Sequence, residues 1–114
     1  MKKFNLIFLI FSLIFLSCNR DNKKIKITDF SKPQKIKVKP YKNYPYTMMN
    51  ISVKGYANDT ILIKLDSKNS LPILKLVGNI NERWNTDYYG EGERMLIFEP
   101  YKATEGKLQI DFGL

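Results

Sequence analysis

The sequence predicts an all-β protein, a small antiparallel β-sandwich or barrel, and three observations carry that expectation. Apolar and polar residues alternate at period two in several short stretches, which is the pattern of a strand with one buried face. The first apolar residues of these stretches fall near positions 25, 36, 49, 61, 71, 95 and 107, so all intervals but one are 10 to 13 residues. That is the spacing of strands joined by short turns. Beyond residue 18 no stretch combines helical period with helical length. With 114 residues there is room for one domain, and a single cysteine rules out the disulfide pair of immunoglobulin-type sandwiches.

The chain opens with MKKFNLIFLIFSLIFLS, two lysines followed by an apolar run over residues 4–16 broken only by Asn5 and Ser12. As a helix this run spans about 20 Å, short of the roughly 30 Å of hydrocarbon in a bilayer. Residues 1–17 are therefore read as a cleaved signal helix rather than a membrane span. Ordinary secretory cleavage favours small residues one and three positions before the cut, and Phe15 is not small.

The run Phe15, Leu16, Ser17, Cys18 and Asn19 instead resembles the lipobox of bacterial lipoproteins, with Phe15 and Leu16 where that family usually has Leu and a small residue. The resemblance implies diacylglycerol on the Cys18 sulfur, Cys18 as the new N-terminus, and a partner that is the membrane itself. Cys18 is the only cysteine, so a lone thiol stands where this chemistry requires one. Two or three acyl chains, at about 0.8 kcal/mol per buried methylene, hold a protein durably to a bilayer. Asn19 is not the Asp that retains some such lipoproteins at the inner membrane, which favours the outer membrane.

The +8 formal charge is unevenly distributed: residues 18–47 hold nine Lys or Arg against two Asp, whereas residues 48–114 hold eight basic and nine acidic side chains. Residues 18–46, rich in Lys, Asn and Pro, read as a lipidated Cys and a basic tether. Two alternating fragments inside it, residues 25–28 and 36–39, are expected to add short edge strands. The lysines suit either an edge strand kept soluble or a segment attracted to anionic headgroups. No nucleic-acid-binding motif surrounds them, and no nucleic-acid partner is expected.

Residues 47–114 are read as the β-sandwich-like body. Met49, Ile51 and Val53 alternate with polar residues, as do Ile61, Ile63 and Leu65 after residues 55–59, and a hairpin between them is the natural expectation. Residues 66–70 have turn composition, residues 71–77 form an apolar run with Pro72 near its start, residues 95–98 form another, and Leu108, Ile110 and Phe112 share a face of the last strand. The one double interval, residues 78–94, is either a strand near residues 80–84 or a long loop. It holds the only tryptophan, Trp84, beside Tyr88 and Tyr89. These three are the candidate residues for binding a saccharide or an envelope protein, because aromatic side chains stack on sugars and anchor interfaces. Core packing competes for each, and since adjacent strand residues point to opposite faces, at least one of the two tyrosines is expected to meet solvent.

Asp87, Glu91 and Glu93 surround Gly90 and Gly92, but their spacing is not that of a calcium loop, and neither a metal nor a cofactor is expected. The chain has no histidine, no nucleophile motif and no phosphate loop. Two of those three carboxylates acting on a glycosidic bond would be the remaining route to an enzyme, and a body this small has little room for the cleft it requires. The expectation is a non-catalytic, lipid-anchored envelope protein acting by binding or as a structural accessory. A soluble secreted binding protein is the alternative if Cys18 is not acylated.

Overall fold

The computed structural model describes residues 20–114; the signal segment and Cys18 lie outside the described residues. Six antiparallel strands form the fold: β1 (Asn22–Ile27), β2 (Gln34–Val38), β3 (Met48–Leu65), β4 (Leu74–Asp87), β5 (Arg94–Glu99) and β6 (Gly106–Gly113). The fold is all-β, a nearly closed antiparallel sheet in the order β1-β6-β3-β5-β2, with β4 on the free edge of β3.

β3 organises the rest. β4 pairs along most of its length on one edge, while the opposite edge takes β6 over residues 50–57 and then β5 over residues 62–65. The strand therefore holds two successive partners on one edge of the single sheet and bends between them. The bend is a bulge where the β3–β4 register shifts between Ala57 and Ile61. Asn58 fixes it: its Nδ2 donates to Thr104 Oγ1 at 2.8 Å, and its Oδ1 accepts from the N–H groups of Thr104 and Glu105 at 3.0 and 3.2 Å. The hairpin expected between residues 49–53 and 61–65 is not formed. The polar segment between those runs bends one strand instead of reversing it, because a distant loop satisfies its backbone and side-chain groups.

The bend folds the two flanks over one another. Alternation delivers Ile36 and Val38 from β2, Met49, Ile51, Val53, Ile61 and Ile63 from β3, Leu96 and Phe98 from β5, and Leu108, Ile110 and Phe112 from β6 into one core. Phe30 adds its ring edge-on to Phe98, centroids 5.4 Å apart. The far edges meet where the Lys39 N–H donates to the Arg20 carbonyl at 2.9 Å. The basic segment is thus part of the sheet: both alternating fragments are strands, and Ile27, Ile36 and Val38 are buried. The segment over residues 78–94 is mostly strand as well, since β4 runs to Asp87.

Candidate binding face

The outer face of β1, β6, β3 and β4 is polar across its whole width, and register determines which residues meet. Lys24 pairs with Asp111, Asp111 with Ser52, and Ser52 with Arg83, giving one row over four strands. On one side lies the row Asn22, Gly113, Asn50 and Asn85, and on the other Lys26, Gln109, Lys54 and Asn81. The side chain of Asn22 lies over Gly113, where an added Cβ would stand 3.2 Å from Asn22 Cγ. A cleft of about 430 Å³ opens on this face, lined among others by Asn22, Asn50, Arg83, Trp84, Asn85 and Asp111.

Asp111 is the unusual member. Its Oδ1 is shielded from solvent and accepts no hydrogen bond among the described residues. Neither register neighbour, Lys24 nor Ser52, donates to it. Buried acceptors are nearly always paired, so an unpaired carboxylate oxygen is acceptor capacity the fold leaves unused. Around it, Lys24, Lys26, Lys54, Arg83 and Lys107 all lie on outward register positions, whereas the acids on this face are Asp111 and, at its end, Asp87. The face has a cationic bias, with one carboxylate in its middle.

The three aromatic candidates separate. Trp84 pairs with Ile51 on the core side of the sheet, opposite to Arg83 and Asn85, and is half-buried against the core, so it borders the cleft without belonging to its outer polar face. Tyr88 is fully buried, its ring against Tyr46 at a centroid distance of 5.8 Å and its hydroxyl donating to the Gly92 carbonyl. It serves packing and offers a ligand no surface here. Tyr89 is 68% exposed, with its N–H donating to the Glu91 carboxylate at 3.1 Å. It lies beyond the end of β4, apart from Trp84.

Tyr88 belongs to a tyrosine cluster at the end of the fold where the described chain begins. Tyr44 packs on Tyr46 at 4.8 Å between centroids, and the Tyr46 hydroxyl accepts from the Tyr41 N–H at 2.8 Å and donates to Asp21 Oδ2 at 2.9 Å. Loss of solvation, with the Asp21 carboxylate adding to it, holds the Tyr46 phenol above its usual pKa. The carboxylates considered for an active site do not share a cleft: Glu93 sits 3.7 Å from both Lys37 and Lys39, Glu91 accepts from Tyr89, and Asp87 lies opposite Met48. Among the described residues no three acidic groups come together as a metal site, and no helix is long and apolar enough to cross a membrane.

Sequence reasoning missed the polar face. The alternation at residues 107–112 puts Asp111 opposite the apolar residues, but only strand register brings Ser52, Arg83 and Lys24 beside it.

The sequence matches no protein-family model and no curated protein. Among solved structures, the chain is similar to the pre-peptidase C-terminal domain of a collagenase from Bacillus anthracis, at 16% identity over 78% of this chain and 86% of that one, with a TM-score of 0.52. It is also similar to the periplasmic inhibitor of g-type lysozyme PliG from Aeromonas hydrophila, at 11% identity over 81% and 82% of the two chains, with a TM-score of 0.44. At these identities the first likeness supports a small β fold and nothing more specific.

Proposed function

We propose that this chain is a lipid-anchored lipoprotein of the cell envelope, held at the outer membrane through acylated Cys18, and that it acts without catalysis by binding an acidic saccharide on the outer face of β1, β6, β3 and β4. The observation that carries the binding role is the unpaired Asp111 carboxylate oxygen in a cleft of about 430 Å³ on a cationic polar face. A sugar hydroxyl supplies the missing donor. Arg83 and Lys54 meet carboxylate or phosphate groups, and Asn50 and Asn85 offer both donors and acceptors. The anchor is supported by the lipobox-like run ending at the only cysteine.

Two measurements test the reading separately. Titration of acidic and neutral envelope oligosaccharides, followed by Trp84 fluorescence and calorimetry, is expected to show saturable binding of the acidic ones, weakened at least tenfold in both Asp111→Thr and Arg83→Gln. Equal, non-saturable responses in all three proteins reject the saccharide site. Intact mass of the protein expressed with its own signal in a Gram-negative host is expected to give a chain starting at Cys18 with added acyl mass, lost in Cys18→Ala. An unmodified mature chain leaves a soluble secreted binding protein.

A further inference from the structure

We infer that the tyrosine-bearing end of the fold rests directly on the lipid surface, with Tyr44, Met48 and Tyr89 in the membrane–water interface; this rests on the acylation of Cys18 proposed above. The argument begins with chain length. Arg20 is two residues from Cys18 and β1 starts at Asn22, so at about 3.3 to 3.6 Å per extended residue the fold begins within roughly 15 Å of the acylated sulfur. Residues 18–46 therefore contain no long tether.

Nor does the fold swivel freely about its first described residues. The Arg20 carbonyl accepts from the Lys39 N–H and the Asp21 carbonyl from the Leu114 N–H, both at 2.9 Å. The Arg20 guanidinium donates to the Pro40 carbonyl at 3.0 Å and lies over the Tyr41 ring, 4.4 Å from its centroid. Asp21 takes the Tyr46 hydroxyl. An anchor at Cys18 thus pulls on the whole end of the sheet and presents that end to the bilayer.

This end carries an exposed apolar rim. Tyr44 is 60%, Tyr89 68% and Met48 41% exposed, and beneath them the buried rings of Tyr46 and Tyr88 form a rigid base. Tyrosines with one wet end and one apolar end concentrate at the headgroup level of membranes. Arg20, Lys39 and Lys42 are offset there by Asp21, Asp87 and Glu91, so the contact is one of aromatic and apolar side chains rather than of net charge. The opposite end carries Tyr101, 59% exposed. It lies past the bulge where β3 bends, about 30 Å away if counted along the residues from Met48 to Ala57.

Tyr101 provides a control matched in residue type and exposure. The full-length precursor and its Tyr44→Cys, Tyr89→Cys and Tyr101→Cys variants are expressed in a Gram-negative host, and acylation of Cys18 is verified by intact mass. The introduced thiol is then labelled with an environment-sensitive fluorophore, and the protein is reconstituted in phosphatidylcholine vesicles. Labels at positions 44 and 89 are expected to brighten severalfold and to be quenched by lipids spin-labelled near the headgroup, while the label at 101 does neither. If the chain is acylated and positions 44 and 89 behave like 101, the orientation is overturned and the anchor stands. A chain without acyl mass overturns both.

Discussion

Asp111 leaves one carboxylate oxygen buried and undonated, and such an oxygen loses hydration without compensation. Replacing it with Thr, which fits a strand and carries no charge, is expected to stabilise the ligand-free protein by about 1 kcal/mol. Urea unfolding measures this, and the same variant loses saccharide binding, so that stability and binding move in opposite directions. A merely structural Asp would lose both together. Tyr46 gives a pH signature at the same scale. Its phenol is held above the usual value mainly by loss of solvation, so above about pH 10 the unfolded chain releases this proton while the folded chain keeps it. The stabilisation is complete below the unfolded pKa and disappears as pH rises through the folded one. Thermal melts are expected to fall above pH 10, and less steeply in Tyr46→Phe. Asp29 acts at the other extreme. The Ser31 hydroxyl and then its N–H donate to the Asp29 carboxylate and lower its pKa, so its contribution is present above about pH 4 and fades as pH falls.

Among the elements, β3 shows how far alternation can be read and where it stops. The apolar sets Met49, Ile51, Val53 and Ile61, Ile63 are visible as strand patterns because burial on one face imposes period two. Whether residues 55–60 reverse the chain or bend it depends on groups elsewhere: Glu105 accepts from the Asn58 N–H, and Thr60 accepts from the Lys102 N–H. No local pattern contains those partners. The 78–94 segment was ambiguous for a related reason, since β4 is an edge strand with Lys75, Asn79, Asn81 and Arg83 exposed, and a strand that buries little has weak periodicity. Of the candidate site, Trp84 was visible as a residue type, whereas the cationic face needed the pairing of β1 with β6, which sequence spacing does not encode. The close approach of β3 and β6 makes a sharp prediction at Gly55. Its φ is +135°, and an added Cβ would collide with the Lys107 carbonyl oxygen, which is backbone and cannot move aside cheaply. Gly55→Ala is expected to cost at least about 3 kcal/mol or to prevent folding. Gly78, with φ +74° and nothing within 4 Å of the added carbon, provides the contrast: Gly78→Ala bears only the left-handed backbone penalty, about 1 to 2 kcal/mol. Comparable losses by urea titration would show that strain and not contact governs both.

For the molecule as a whole, the question is whether the basic N-terminal third is an appendage or part of the fold. Composition separates residues 18–46 from the remainder, but side-chain burial joins them: Ile27, Phe30, Ile36 and Val38 are each at most 6% exposed and belong to the same core as Phe98 and Phe112. The charge bias arises because β1 and β2 border the sheet, where exposed Lys alternates with buried Ile or Val and guards the edges against pairing with another chain. Removing residues up to 46 takes away these four side chains and the buried Tyr46, forfeiting roughly 8 to 15 kcal/mol of burial, as large as the whole stability of a typical domain. It also strips β5 and β6 of their outer partners. A chain of residues 47–114 is therefore expected to show no cooperative unfolding and no dispersed amide resonances, or to associate through its bare edges, while residues 19–114 melt cooperatively as a monomer. Adding a peptide of residues 20–46 to the truncated chain is expected to restore dispersion, since both missing strands pair in the antiparallel sense and the peptide carries all five lost core residues, Ile27, Phe30, Ile36, Val38 and Tyr46. Cooperative folding of residues 47–114 without the peptide would make the basic segment a tether after all. It would also remove the rigid coupling between Arg20 and the tyrosine end on which the membrane orientation depends.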